Sequence, residues 1–206
     1  MAVVQIMVVD LIVASRWPAY NFHRYIISDL GITQCASIDG LWTCSPWHLA
    51  SDISWIVAGL CTILGAWCSA PYWAASRTRN LGLSALAVSG AAFISTALNP
   101  ENLRKVPHLA SAGITIIFAS MGVLLLGWAT YAAGRRRWGV AGIFCGFAGL
   151  TAEAFVILNK PERLQGAVER LAVWPQLLWI VITGALITRT AWRRHVACRR
   201  PPRTGL

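Results

Sequence analysis

The chain has 206 residues, of which 56% are hydrophobic and 13% charged, and a mean hydropathy of +0.56. It is too apolar and too poor in charge for an ordinary soluble domain, too apolar for a disordered chain, and too long for a disulfide-stapled mini-protein. A net charge of +10 would point to nucleic acid in a soluble protein. Here the basic residues lie between apolar runs, so a membrane is expected and nucleic acid is not.

A helix needs about 20 apolar residues to cross roughly 30 Å of hydrocarbon. Six such runs are read near 1–17, 46–73, 81–99, 107–132, 138–158 and 168–189. The expected fold is all-α, a polytopic transmembrane bundle of six spans. It forms one domain over 1–192, with an outer loop at 18–45 and a basic tail at 193–206. The first run is the shortest. It has no basic n-region and no small-x-small cleavage site, so it is read as a span rather than a signal peptide.

Orientation follows from the loop charges. Eleven of the 18 basic residues fall on one side: Arg77 and Arg79, Arg135 to Arg137, and six arginines from Arg189 to Arg203. The other side holds Arg16, Arg24, Arg104, Lys105, Lys160, Arg163 and Arg170 together with the acids Asp29, Asp39, Glu101, Glu162 and Glu169. Both termini are therefore read as cytoplasmic in a cell-membrane protein, and the tail as a topology signal that touches anionic lipid. Tryptophan supports the same layout, because Trp17, Trp47, Trp73, Trp128, Trp138, Trp174 and Trp192 fall near span ends, where indoles sit at headgroup level. Trp55 and Trp179 lie deeper and either line a pocket or face lipid.

In chain order, Asp10 is an acid inside the first span. Cys35 and Cys44 share the outer loop, where an oxidising compartment permits a disulfide. Ser45-Pro46 suits a helix start, because serine caps exposed amides and proline loses nothing at the first position. His48 and Asp52 then stand one turn apart on one face, either as a structural pair or as a working acid/base pair. Cys61, Cys68 and Cys145 are read as packing residues, and with no C-x-x-C a thiol oxidoreductase is not expected.

The third span carries Ser89, Ala92, Thr96 and Asn99 on one face, a pattern common in interhelical glue. The fourth opens on Pro107-His108 with a polar stripe of His108, Ser111 and Thr115. His-Leu-Ala-Ser occurs at both 48–51 and 108–111, a hint of a parallel repeat. In the fifth span Gly139, Gly142, Gly146 and Gly149 make a small-residue seam continued by Glu153, an acid that should face the bundle interior. The sixth brings Glu169 and Arg170, then Gln176, with Pro175 expected to kink it and free a carbonyl. Arg170 is expected to pair with Asp29, Asp52 or Glu101, or with an anionic headgroup.

The run Tyr25-Ile26-Ile27-Ser28-Asp29-Leu30-Gly31 and the run Cys44-Ser45-Pro46-Trp47-His48 resemble the bacterial domain-of-unknown-function family 998. So do Asn99-Pro100-Glu101-Asn102 ahead of His108 and Val168-Glu169-Arg170-Leu171 ahead of Trp174-Pro175. The resemblance implies a six-helix integral membrane protein and brings no activity with it. Ser51-Asp52 departs from the family, which often has Met-Asn there.

Three functional classes follow. The first is lipid or isoprenoid binding or modification at an outward-facing site, with His48 or His108 as acid or base, Asp29 or Asp52 orienting it, and Arg170, Glu101 and Glu169 binding substrate. Its metal variant uses His23, His48 and His108; otherwise neither metal nor cofactor is implied. The second is a non-catalytic scaffold or sensor that docks a partner. The third is a transporter using Glu153 and Asp10.

Overall fold

Apolar runs separated by short basic or acidic loops fold as helices because only internal hydrogen bonding satisfies the backbone in hydrocarbon. A computed structural model describes residues 4–159 and 163–198, with side chains through Arg193. Lys160, Glu162 and the tail residues Arg199, Arg200, Pro201, Pro202 and Arg203 lie outside the described residues, as does the side chain of Arg194. The helices are α1 (Val4–Ser15), α2 (His48–Ser69), α3 (Arg77–Leu98), α4 (Lys105–Ala132), α5 (Arg136–Asn159) and α6 (Gln165–Cys198). Short 3-10 turns lie at Ser28–Gly31 and Ala70–Tyr72.

Helices α2 to α6 are long and apolar enough to cross a membrane, but α1 has 12 residues and rises only about 18 Å, short of the hydrocarbon thickness. Among the described residues, length and composition thus support five spans. The first helix stops early because Trp17 precedes Pro18, and the residue before proline avoids the helical region. In the outer loop β1 (Ala36–Ile38) and β2 (Leu41–Thr43) form an antiparallel hairpin in which Ile38 faces Leu41. Its two-residue turn is Asp39-Gly40, with φ of 48° and 81°, the left-handed pair a tight hairpin demands. That Asp-Gly signal was present in the sequence and was missed.

Neighbouring helices α2 to α5 pack in chain order, α6 returns against α5, and α2 and α6 scarcely touch. Close approach depends on small residues. A Cβ on Gly59 would stand 2.5 Å from the carbonyl oxygen of Gly90, so α2 and α3 meet backbone to backbone there. The seam on α5 faces α4: a Cβ on Gly139 would meet Tyr131 N at 2.5 Å, and one on Gly146 the carbonyl of Ser120 at 2.5 Å. Helix α6 runs through Pro175 as one helix. The 18–47 segment, the α3–α4 connection and the start of α6 gather at one end, called the plug end below. Arg77, Arg79, Arg135 to Arg137 and Arg189 gather at the other, the arginine end.

Candidate functional site

The plug is built from the Tyr25–Gly31 motif. Ile27, Ser28, Asp29, Leu30 and Ile32 are all buried, with Leu30 and Ile32 at 0% exposure, so this stretch is seated in the end of the bundle rather than lying on it. The Asp29 carboxylate accepts the Ile26 amide at 2.9 Å, and Ser45 Oγ donates to the Leu30 carbonyl at 2.7 Å, so the turn's polar groups are satisfied locally. Gly31 is fixed by space: a Cβ would stand 2.6 Å from Asp52 Oδ1 and 2.8 Å from the Trp55 ring. Cys35 and Cys44 are disulfide-bonded beside the hairpin, with Cα atoms 4.2 Å apart.

Arg170 clamps the plug. Its Nη1 donates to the carbonyls of Phe22 (3.0 Å), Tyr25 (2.9 Å) and Gly166 (2.8 Å), and its Nη2 donates to the Tyr20 hydroxyl. The guanidinium also lies over the Tyr20, Phe22 and Trp174 rings. Among the described residues no carboxylate is within ion-pair distance of it. The expected partners Asp29, Asp52 and Glu101 are therefore not its partners; an arginine this buried is held by carbonyls and aromatic faces instead. Tyr20 and Tyr25 belong to this network and were missed in the sequence. Their spacing around Pro18 and Phe22 gave an aromatic cluster, with Trp17 packed into it at 4.7 Å from Tyr25, rather than an interfacial belt.

The remaining acids gather around the plug. Glu169 accepts the Ile27 amide. Glu101 accepts the Ser28 hydroxyl at 3.5 Å and lies 4.0 Å from His108 Nε2. His108 is 1% exposed, and its Nδ1 is 2.8 Å from the Asn99 carbonyl. A carbonyl only accepts, so Nδ1 carries the proton and Nε2 is turned to Glu101. Burial lifts the Asp29 carboxyl from an ordinary 3.8 to about 7. It also lifts Glu101 above its ordinary value, against the opposing pull of His108.

Other expected partners are not brought together. Neither a hydrogen bond nor an ion pair joins His48 to Asp52 among the described residues: His48 is half-buried, while Asp52 is buried against Gly31. His23 is exposed, so the three histidines do not converge, and among the described residues no group of three His, Cys, Asp or Glu could hold a metal ion. The two His-Leu-Ala-Ser copies differ in the same way, His48 half-buried and His108 enclosed. Glu153 faces α4, where a Cβ on Gly113 would stand 3.9 Å from its Oε1. Asp10 is 1% exposed, and neither carboxylate oxygen has a hydrogen-bond partner among the described residues; Ser51, Ser54 and the Trp55 indole on α2 are likewise unpartnered.

Beneath the plug lies a narrow slot of about 70 Å³ between α2, α3, α4 and α6. Its walls are mostly apolar, including Ile6, Trp55, Phe93, Ile116 and Ile180; Ser28, Thr96 and Glu169 lie toward the plug, and Thr62, Ser89, Thr115 and Gln176 lie further along. From Glu169 to Ile180 the α6 wall climbs about 16 Å. Gln176 is itself held, its Oε1 accepting from Ser120 at 3.0 Å.

No curated protein and no solved structure matches the chain. The family model described as a protein of unknown function (DUF998) matches residues 1–186. The motif residues just described thus fall within the matched stretch, and the chain belongs to that family.

Proposed function

We propose that this chain is a multi-pass protein of the cell membrane that binds one uncharged lipid or isoprenoid chain beneath its plug, with the arginine end in the cytoplasm. One observation carries the reading: the slot is walled mainly by apolar side chains, with its acid Glu169 and Ser28 at the plug and only uncharged Thr62, Ser89, Thr115 and Gln176 further along, a lining that suits an amphiphile lying along the bundle axis. The polar end is lined by Glu169, with Asp29 and Glu101 close by, and Arg170 is committed to loop carbonyls. A phosphate there would meet acids without a free cation among the described residues, so an uncharged head is favoured over a charged one. Modification through His48 and Asp52 has no support, because no bond joins the two. The orientation rests on the arginines and on the disulfide at the opposite end, which belongs in an oxidising compartment.

The test is native mass spectrometry of the purified full chain in detergent. We expect an uncharged lipid or isoprenoid adduct on the wild type. Its occupancy should fall at least about fivefold in Ala112→Phe, which narrows the slot, with the thermal midpoint preserved. A wild type free of adducts would favour the second reading, a non-catalytic scaffold or sensor. That reading draws on the plug's internal bonding, in which Arg170, Asp29 and Ser45 serve the loop itself.

A further inference from the structure

We infer that the arginine end holds a second site, for an anionic phospholipid, which does not depend on the slot beneath the plug. Two hollows meet there. One, of about 240 Å³, lies among the Ala70–Tyr72 turn and the ends of α4, α5 and α6, and is lined by Trp73, Thr130, Arg135, Trp138, Thr183 and Thr190 among others. The other, of about 300 Å³, runs up the cleft where α2 and α6 scarcely touch and is almost wholly apolar. They share Trp73, Thr183 and Ile187. A polar mouth thus opens directly into a greasy channel, which is the shape of a headgroup with its acyl chain.

The mouth is electropositive by construction. Helix α4 ends in a left-handed Gly134, φ 86°, with Gly134 N bonded to Tyr131 O at 3.0 Å and Arg135 N to Thr130 O at 3.2 Å. This paired closure fixes Arg135 at the edge of the hollow. Among the described residues every acid lies in α1, in the plug-end loops or in the plug-side halves of helices, so none of these carboxylates competes for the guanidinium. Inside, Thr183 is 8% exposed and accepts the Trp138 indole N–H at 3.0 Å, while its own hydroxyl proton has no acceptor among the described residues. A buried donor of this kind calls for an acceptor oxygen. The stacked indoles of Trp138 and Trp179, 5.9 Å apart, join the two hollows, Trp138 lining the mouth and Trp179 the apolar channel. A cation, a spare donor and an apolar channel together select a phosphodiester with acyl chains. Free phosphate would leave the channel unfilled.

The test is native mass spectrometry of the full chain titrated with phosphatidylglycerol and, separately, phosphatidylcholine, with inorganic phosphate as a third arm. We expect phosphatidylglycerol to bind at least fivefold better than phosphatidylcholine. Arg135→Gln should erase most of that preference, about fivefold for one basic group at a membrane surface. Arg136→Gln, whose side chain does not line the hollow, should keep it. Ile187→Trp, which blocks the shared wall, should weaken both lipids while the adduct beneath the plug persists. Equal binding of the two lipids, equal losses in the Arg135 and Arg136 variants, or protection from unfolding by inorganic phosphate as strong as that by phosphatidylglycerol would each overturn the inference.

Discussion

The two ends of the molecule hold their polar residues in opposite ways. At the plug end Arg170, Asp29, Ser45 and Glu169 bond to loop backbone, and Glu101, Ser28 and His108 face one another. At the arginine end the cations meet no acids among the described residues, and Thr183 keeps an unused proton beside an open hollow. A dense cluster of ionisable residues is therefore not the same as available chemistry. In low dielectric such groups are costly unless paired, so a buried cluster consumes its own bonding capacity.

Mutations at the two ends should separate these cases. Arg170→Ala removes the donors of three carbonyls and a hydroxyl, and should cost at least about 3 kcal/mol, read as a lower thermal midpoint and faster proteolysis of the 18–47 segment. An unchanged midpoint would mean that the plug is not clamped as described. Gly31→Ala places a Cβ against Asp52 and Trp55 and should cost about 1–3 kcal/mol by overpacking.

The plug should also respond to pH. Between the ordinary 3.8 of Asp29 and its value of about 7 in the fold, the folded chain holds a proton that the unfolded chain has released. Stability should therefore fall as pH rises through that window, by an amount on the order of 4 kcal/mol. Glu101, also raised, works in the same direction. Midpoints measured from pH 4.5 to 7.5 should show the slope, and Asp29→Asn, which still accepts the Ile26 amide, should flatten it. The smallest effects belong to exposed cations. Arg135→Gln, and Lys105→Met at the exposed pair with Asp39 (2.6 Å), should each change stability by no more than about 0.5 kcal/mol.

Much of this architecture was legible in the sequence because it rests on local, one-dimensional signals. Apolar runs located α2 to α6 to within a few residues, except that α6 runs on well past 189, and the glycine seam of α5 named the face that meets α4. The plug was half legible: the Tyr25–Gly31 run stood out as a motif, but nothing in its order said that it would be buried. The C-terminal limit of α1 was less legible, because apolar character continues to Trp17 while the helix ends at Ser15, ahead of Pro18.

The sequence by itself determined that the chain is a helical membrane protein with acids toward one end and arginines toward the other, since hydropathy and charge placement are additive along the chain. Only the tertiary structure decided which groups meet. Arg170 finds carbonyls rather than carboxylates, His48 and Asp52 stay apart, and the α2–α6 cleft opens, because each outcome depends on how helices distant in sequence are set against one another. Pairing in a buried site is a matter of ångströms, which residue spacing does not specify.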